Sequence, residues 1–346
     1  MGLGTNSTGV VAAANFIPEL WSDETIALYK QKLVVAPLVT RINFKGKKGD
    51  TLHIPVPARG SATAKVLDTA VTFVKDTAGV IDVAINKHFE YSSMFEDIAT
   101  IQSLPSMRRF YTDAAAYALS KQVDQDLHLL GAGFNGGTVA TATALYEAGY
   151  IGGDGTTAFS GASSGNGTAL TDAAIRRTIQ RLEDNDVNSA ELVFVLPPVE
   201  ANVLRGTARF TEQAFVGDGS TIKTGRISNL YGVEVFESTN CPFIHCNSVT
   251  DTQSVNFSST SLAAGGTAYA DAFGIAVNWT ASTPTDTQYR ACLMFHKDAM
   301  CLAEQLSIRT QAQYYNTYLG TAVVSDTIYG VKELRDYAGV ALIVPA

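Results

Sequence analysis

The first clear period along the chain lies at 22–33, where Ile26, Tyr29 and Leu33 recur at spacings of three and four and so share one helical face. Ser22 can cap this short helix, Asp23 and Glu24 sit in its first turn, and Lys30 and Lys32 close it, the charge order that the helix dipole favours. Ahead of it, residues 1–17 are small and polar and read as an extended arm with no core of its own. From 39 to 86 the period drops to two: 51–57, 70–74 and 80–85 alternate, with turns at 46–50, 59–60 and 77–79. No helix is interleaved, so this stretch predicts a long antiparallel hairpin. Isolated two-stranded hairpins are marginal in water, so it needs a surface to lie on.

A long helix is predicted over 104–130, with Ser103 as cap and Pro105 in the first turn. Leu119, Val123, Leu127 and Leu130 form one stripe, and Phe110, Ala114 and Tyr117 an adjoining one. At about 1.5 Å per residue it would run roughly 40 Å. Residues 131–168 are dominated by Gly, Ala, Thr and Ser and read as a long loop. A second helix begins near Thr171, with Ile175, Ile179 and Leu182 facing inward. A buried-type strand at 191–196 is stopped by Pro197-Pro198, a helix fits 199–205, and strands resume at 227–238. Residues 247–271 are again rich in Ser, Thr, Ala and Gly; from 290 the chain is mostly strand-like, ending in 340–344.

Composition sharpens this picture. Hydrophobic residues make up 46% of the 346, but charged residues only 17%, below the roughly 25% of an average soluble chain. A free monomer needs surface charge, so this shortage suggests that much of the surface meets other protein. With 25 Lys plus Arg against 33 Asp plus Glu, the net charge is −8; the chain as a whole lacks the basic footprint of a tight nucleic-acid binder. Cys241, Cys246, Cys292 and Cys301 are too few and scattered for a disulfide scaffold. The start lacks the pattern of a signal peptide, and no stretch approaches about 18 apolar residues, so no membrane span is expected.

Each chemical motif has a plainer reading. Gly131-Ala132-Gly133-Phe134-Asn135-Gly136 fits GxGxxG but follows a helix, whereas a dinucleotide loop follows a strand. Gly161-Ala162-Ser163-Ser164-Gly165 fits GxSxG without the hydrophobic strand a nucleophile elbow needs. Cys241, His245 and Cys246, with Cys292, His296 and Cys301, lack paired zinc-ligand spacing and read as buried small hydrophobes with satisfied histidines. Asp184, Asp186 and Asn188 open like a calcium loop, but Ser189 stands where glycine belongs and Val195 where glutamate does; an acidic helix end fits better. Arg41, Lys45, Lys47 and Lys48 form the densest basic patch, either a solvated hairpin turn or a contact for an acidic neighbour or packaged DNA. His53, His88 and His128 have no evident partners. No catalytic, cofactor or metal constellation is expected.

Three local patterns carry a resemblance: 225–238, where Tyr231-Gly232 precedes Val233-Glu234-Val235; Phe295-His296-Lys297-Asp298-Ala299; and Ile328-Tyr329-Gly330 with Gly339-Val340-Ala341-Leu342-Ile343. With the order arm, short helix, hairpin, long helix, mixed middle and terminal strands, they resemble the α+β coat-protein fold of tailed bacteriophages named after phage HK97, which encapsulin shells share. The alanine-rich helix and glycine-rich start resemble the short-tailed, T7-like group. A departure is Leu196-Pro197-Pro198, where the family's strand-end turn often reads Asn-Pro.

The resemblance implies an N-terminal arm and short helix over 1–40 and an extended hairpin loop over 41–90. It implies a peripheral domain with a spine helix over 91–168 plus 286–346, and an axial domain over 169–285. It further implies a non-enzymatic major capsid protein that self-assembles into hexamers and pentamers of an icosahedral head. Scaffolding, portal and decoration proteins would be its partners, and double-stranded DNA would be enclosed without sequence-specific binding. Assembly would occur in the host bacterial cytoplasm. The alternatives are an encapsulin-like compartment or an enzyme of unidentified class.

Overall fold

The structure, a computed structural model, describes residues 33–43, 49–57, 60, 62–71, 73, 78–97, 107–137, 149–159, 167–207, 227, 229–246, 255–259, 269–270, 276–277 and 289–345. The predicted arm, all of the short helix but Leu33, and the helix start at Ser103 and Pro105 lie outside these residues.

Strands β1 (Thr40–Asn43), β2 (Thr51–Val56), β3 (Gly79–Ala84) and β4 (Lys87–Glu96) precede helix α1 (Met107–Leu129) and strand β5 (Tyr150–Gly152). Helix α2 (Asp172–Asp184), strand β6 (Leu192–Leu196) and helix α3 (Pro198–Arg205) follow. Then come β7 (Asn229–Leu230), β8 (Val233–Glu237), β9 (Phe243–Cys246), β10 (Val255–Ser258), β11 (Tyr269–Ala270) and β12 (Ala276–Val277). The chain closes with β13 (Tyr289–His296), β14 (Met300–Tyr315), β15 (Gly320–Glu333) and β16 (Gly339–Pro345).

β13 organises the larger sheet. It pairs antiparallel with β16 on one side, and with β9 and then β6 on the other. β8 adds parallel to β6, and β5 parallel to β16. Its sequence YRACLMFH is buried in all but His296, the continuous hydrophobic run expected of a strand covered on both faces. Side chains alternate across a sheet: Ala291, Leu293 and Phe295 join Leu127 of α1 in one core, while Cys292 and Met294 join Ile175 and Leu182 of α2 and Leu204 of α3 in the other.

Local chemistry explains these helices. Thr171 caps α2, its side chain accepting from the Ala174 amide. Pro198 opens α3, where its missing N–H is not needed. In α1, Leu119 and Leu127 of the predicted stripe are buried and Val123 packs against the core.

The second sheet has the order β1-β14-β15-β4 among the described strands. β1 lies parallel to the start of β14, and β15 pairs antiparallel with β14 and β4. The first residues of β14 are buried, but beyond Leu306 the strand is exposed to its end, where it forms the edge of a three-stranded tongue with β15 and β4.

Two expectations need correction. Residues 70, 71 and 73 are described and none is in a strand; alternation alone makes no strand without a partner ladder. The predicted loop after α1 is partly ordered: Leu130–Gly137 forms a 3-10 helix, and β5 pairs with β16. Gly131 permits this tight packing, since a Cβ there would lie 2.5 Å from Leu293 Cδ2.

Candidate assembly surface and the buried junction behind it

The hairpin pairs from Thr51↔Ala84 to Val56↔Gly79. At its base, Val83 and Ile85 pack with Cys301 and Ala303 of β14, and Ile42, Leu52 and Ile54 lie against them. Gly330 of β15 makes this approach possible, because a Cβ there would run into the Ala84 carbonyl. Beyond the base the burial stops. Val56, Val66, Val71 and Val80 are exposed, Leu67 is 89% exposed and Phe73 94%.

A local turn shapes this tip. Asp68 takes a positive φ of 59°, the Lys65 ammonium donates to the carbonyls of Val66 and Thr69, and the Thr69 hydroxyl donates to Val66 O at 2.8 Å. The apolar side chains around it remain uncovered. Burying a Val, Leu or Phe contributes roughly 1.5–3 kcal/mol, so covering Val66, Leu67, Val71 and Phe73 is worth on the order of 6–12 kcal/mol before the entropy of ordering the hairpin is subtracted. The tongue ends in a second exposed group, Tyr314, Tyr315, Tyr318 and Leu319. Tyr314 donates its hydroxyl to Asp97 at 2.7 Å, which ties the tongue to the end of β4.

Behind these surfaces, α1 carries charge into the core. Asp124 and His128 are fully buried and Asp126 nearly so. Asp124 accepts from the Val34 and Val35 amides at 3.1 and 2.8 Å and from the Asn240 side chain at 2.8 Å. Asp126 accepts from the Tyr329 hydroxyl at 2.6 Å and from Gln122, and pairs with Lys87 at 3.0 Å. His128 Nδ1 lies 2.7 Å from the Asp124 carbonyl, and burial lowers the histidine's pKa, favouring the neutral ring. Periodicity missed this cluster because it assigns charge to the outer face; the available signal was three ionisable residues set between Val123 and Leu130 of the apolar stripe.

The remaining singled-out residues are dispersed. Cys241, Cys292 and Cys301 are buried thiols; burial pushes Cys241 up to about 12 and Cys301 up to about 11, and holds Cys292 well above the ordinary range. They sit as small hydrophobes, and thiols so hard to ionise are poor nucleophiles. His296 Nδ1 accepts from the Asp298 amide and caps the turn into β14. The side chains of His245 and Cys246 lie outside the described residues. His53 faces Asp82 across the hairpin at 2.5 Å, and His88 lies 3.3 Å from Asp326. Arg309 grips both oxygens of Asp326, and this hydrogen bonding is the main force holding that carboxyl below its usual range, against a smaller upward push from burial. The glycine-rich 131–136 run lies in the 3-10 helix with Phe134 buried. Asp184 ends α2, Asp186 has a positive φ, and Asn188 caps the turn before β6. Arg41 Nε donates to Ala36 O; Lys45, Lys47, Lys48 and residues 161–165 lie outside the described residues.

No protein-family model matches the chain, and no curated protein does. Solved structures do match over nearly the full length. A chain of Mycobacterium phage Che8 is 21% identical with a TM-score of 0.64, covering 95% of this chain and 97% of that one. The capsid structure of the cyanophage P-SCSP1u is 16% identical with a TM-score of 0.67, covering 99% and 97%. The acid-stable capsid of Helicobacter pylori bacteriophage KHP30 is 13% identical with a TM-score of 0.64, covering 100% and 99%. The chain has the fold seen in these phage structures, the α+β architecture expected from its sequence.

Proposed function

We propose that this chain is a major capsid protein that self-assembles, as hexamers and pentamers, into the icosahedral head of a bacteriophage enclosing double-stranded DNA. The observation that carries the reading is the hairpin: Leu67 and Phe73 stand almost wholly exposed on an element with no core beneath its tip among the described residues. The shared fold supports it, since the matching structures include phage capsids. The hairpin is the extended loop that lies over a neighbouring copy. Residues 91–168 with 286–346 form the peripheral domain around α1, and 169–285 the axial domain that gathers at capsomer centres.

The mechanism is multivalent packing. Arm, hairpin and tongue belong to one chain, so once one contact closes the others form at high effective concentration. Enclosed DNA is confined without being gripped, in keeping with a net charge of −8. Negative-stain microscopy of the purified protein, with and without a scaffolding protein, tests the proposal. Closed shells of uniform size support it; small oligomers under every assembly condition would refute it. Nuclease-protected DNA inside particles from infected cells separates a phage head from an enzyme-loaded compartment.

A further inference from the structure

His128 stands in the last turn of α1, and its side chain is fully buried. Its Nδ1 lies 2.7 Å from the Asp124 carbonyl. A carbonyl oxygen only accepts, so Nδ1 must carry the proton and donate. The neutral ring then keeps a lone pair at Nε2, which is buried without a hydrogen-bond partner among the described residues. Protonation would turn that nitrogen into a second donor, and a buried donor with no acceptor is costly.

The ring sits where α1 meets the larger sheet. Asp124, one turn back, accepts from the Asn240 side chain at 2.8 Å. Arg290 of β13 donates to the carbonyls on either side of Asn240, Thr239 at 2.7 Å and Cys241 at 3.0 Å. The charged groups that face His128 are Asp124 from its own helix and Arg290 from the sheet. The Cys241 thiol, just ahead of β9, is pushed up to about 12 chiefly by burial and stays neutral. Asp126 is turned to Lys87 and Tyr329. Burial, the largest influence, lowers the histidine's pKa and Arg290 adds to it, against the Asp124 carboxylate 3.5 Å from Nδ1. The helix C-terminus also attracts a cation, yet it offers Nε2 no acceptor among the described residues.

We propose that His128 is an acid-sensitive lock on the junction between α1 and the sheet: protonation of its ring in mild acid frees the end of α1 from residues 239–241 and β13, and an assembled shell loosens with it. Only the last step rests on the capsid reading. The ring takes up a proton more readily in the opened chain, where it titrates near 6.5, the ordinary histidine value. The junction is therefore at full strength above that pH and is lost progressively as pH falls below it, toward the lower folded value. Glu333 acts in the opposite sense over the same interval, since burial pushes its folded pKa up to about 7. Comparison with a variant at position 128 isolates the lock from that opposing effect.

Nitrogen chemical shifts of selectively labelled histidine give a direct readout in the wild-type chain. His128 should remain the neutral Nδ1–H form down to about pH 5.5, a unit below the ordinary histidine value; an imidazolium, or the Nε2–H tautomer, in the folded protein at about pH 6.5 overturns the proposal. Hydrogen exchange of residues 124–129, corrected for the intrinsic effect of pH, then compares wild type with His128→Asn and His128→Gln. Each amide can still donate a hydrogen bond, and neither titrates. Between about pH 7.5 and 5.5 the opening constant should rise about tenfold more in wild type than in either variant. Over the same shift, electron microscopy should show wild-type shells opening while shells of the variants stay closed. An equal pH response in all three chains, or wild-type shells that stay closed while α1 opens, overturns the proposal. Should neither variant fold, the ring shifts decide. Absence of wild-type shells at both pH values instead refutes the capsid reading, while the ring shifts and exchange still judge the lock.

Discussion

Glu333 ends β15 with its carboxyl packed on Gly133, and its Oε1 is buried without a hydrogen-bond partner among the described residues. Burial, reinforced by Asp336 and opposed by Lys332, pushes its pKa up to about 7. The fold therefore favours the protonated form. Below the unfolded value, near 4.3, the carboxyl is neutral in both states; as pH rises through about 7 that advantage is lost. Glu333→Gln should leave stability unchanged near pH 4.5 and raise it at pH 8 by about 1–2 kcal/mol, after discounting for partial exposure. Urea unfolding at both pH values checks this. Asp126, unlike Glu333, has its partners in place: Asp126→Ala strands Lys87 and the Tyr329 hydroxyl and should cost roughly 3–5 kcal/mol, whereas Tyr329→Phe should cost about 1–2 kcal/mol, both read as shifts in denaturation midpoint. Neither carboxylate stood out in the sequence. A charged residue is assigned to solvent unless its partner is known, and Tyr329 lies 203 positions from Asp126.

Elements with a strong period were legible because packing and pattern agree. Ile175 and Leu182 of α2 face inward as spaced, and β6 ends at Pro197 as proline requires. Tyr231 and Gly232 turn β7 into β8 with φ of 53° and 86°, the positive pair of a type I′ hairpin turn. Elements that depend on distant partners were not legible. β5 is only three residues long and is a strand because β16 lies beside it. The glycine at 330 could be read as part of a closing strand, but its purpose appears only when Ala84 is seen against it. Gly330→Val should lift the hairpin base from β15, costing about 1–3 kcal/mol as an overpacked contact and reducing assembly more than it reduces the melting temperature. Deleting residues 60–75 should leave the two sheets folded, by circular dichroism and thermal melting, while abolishing closed shells. Normal shells from that deletion would show that the hairpin tip is dispensable.

At the scale of the whole molecule, two sheets and their helices supply a body with its own cores, while the hairpin tip and the tongue end extend apolar and aromatic side chains past it. A charge content of 17% fits a surface meant to be covered by protein. Hydrogen exchange of residues 62–73, compared between dilute unassembled protein and assembled particles, measures this most directly. Exchange should be rapid in the dilute protein and strongly slowed in the particles, with the β13 core protected equally in both. Equal exchange of residues 62–73 in the two states would contradict the claim that a second copy covers the hairpin tip.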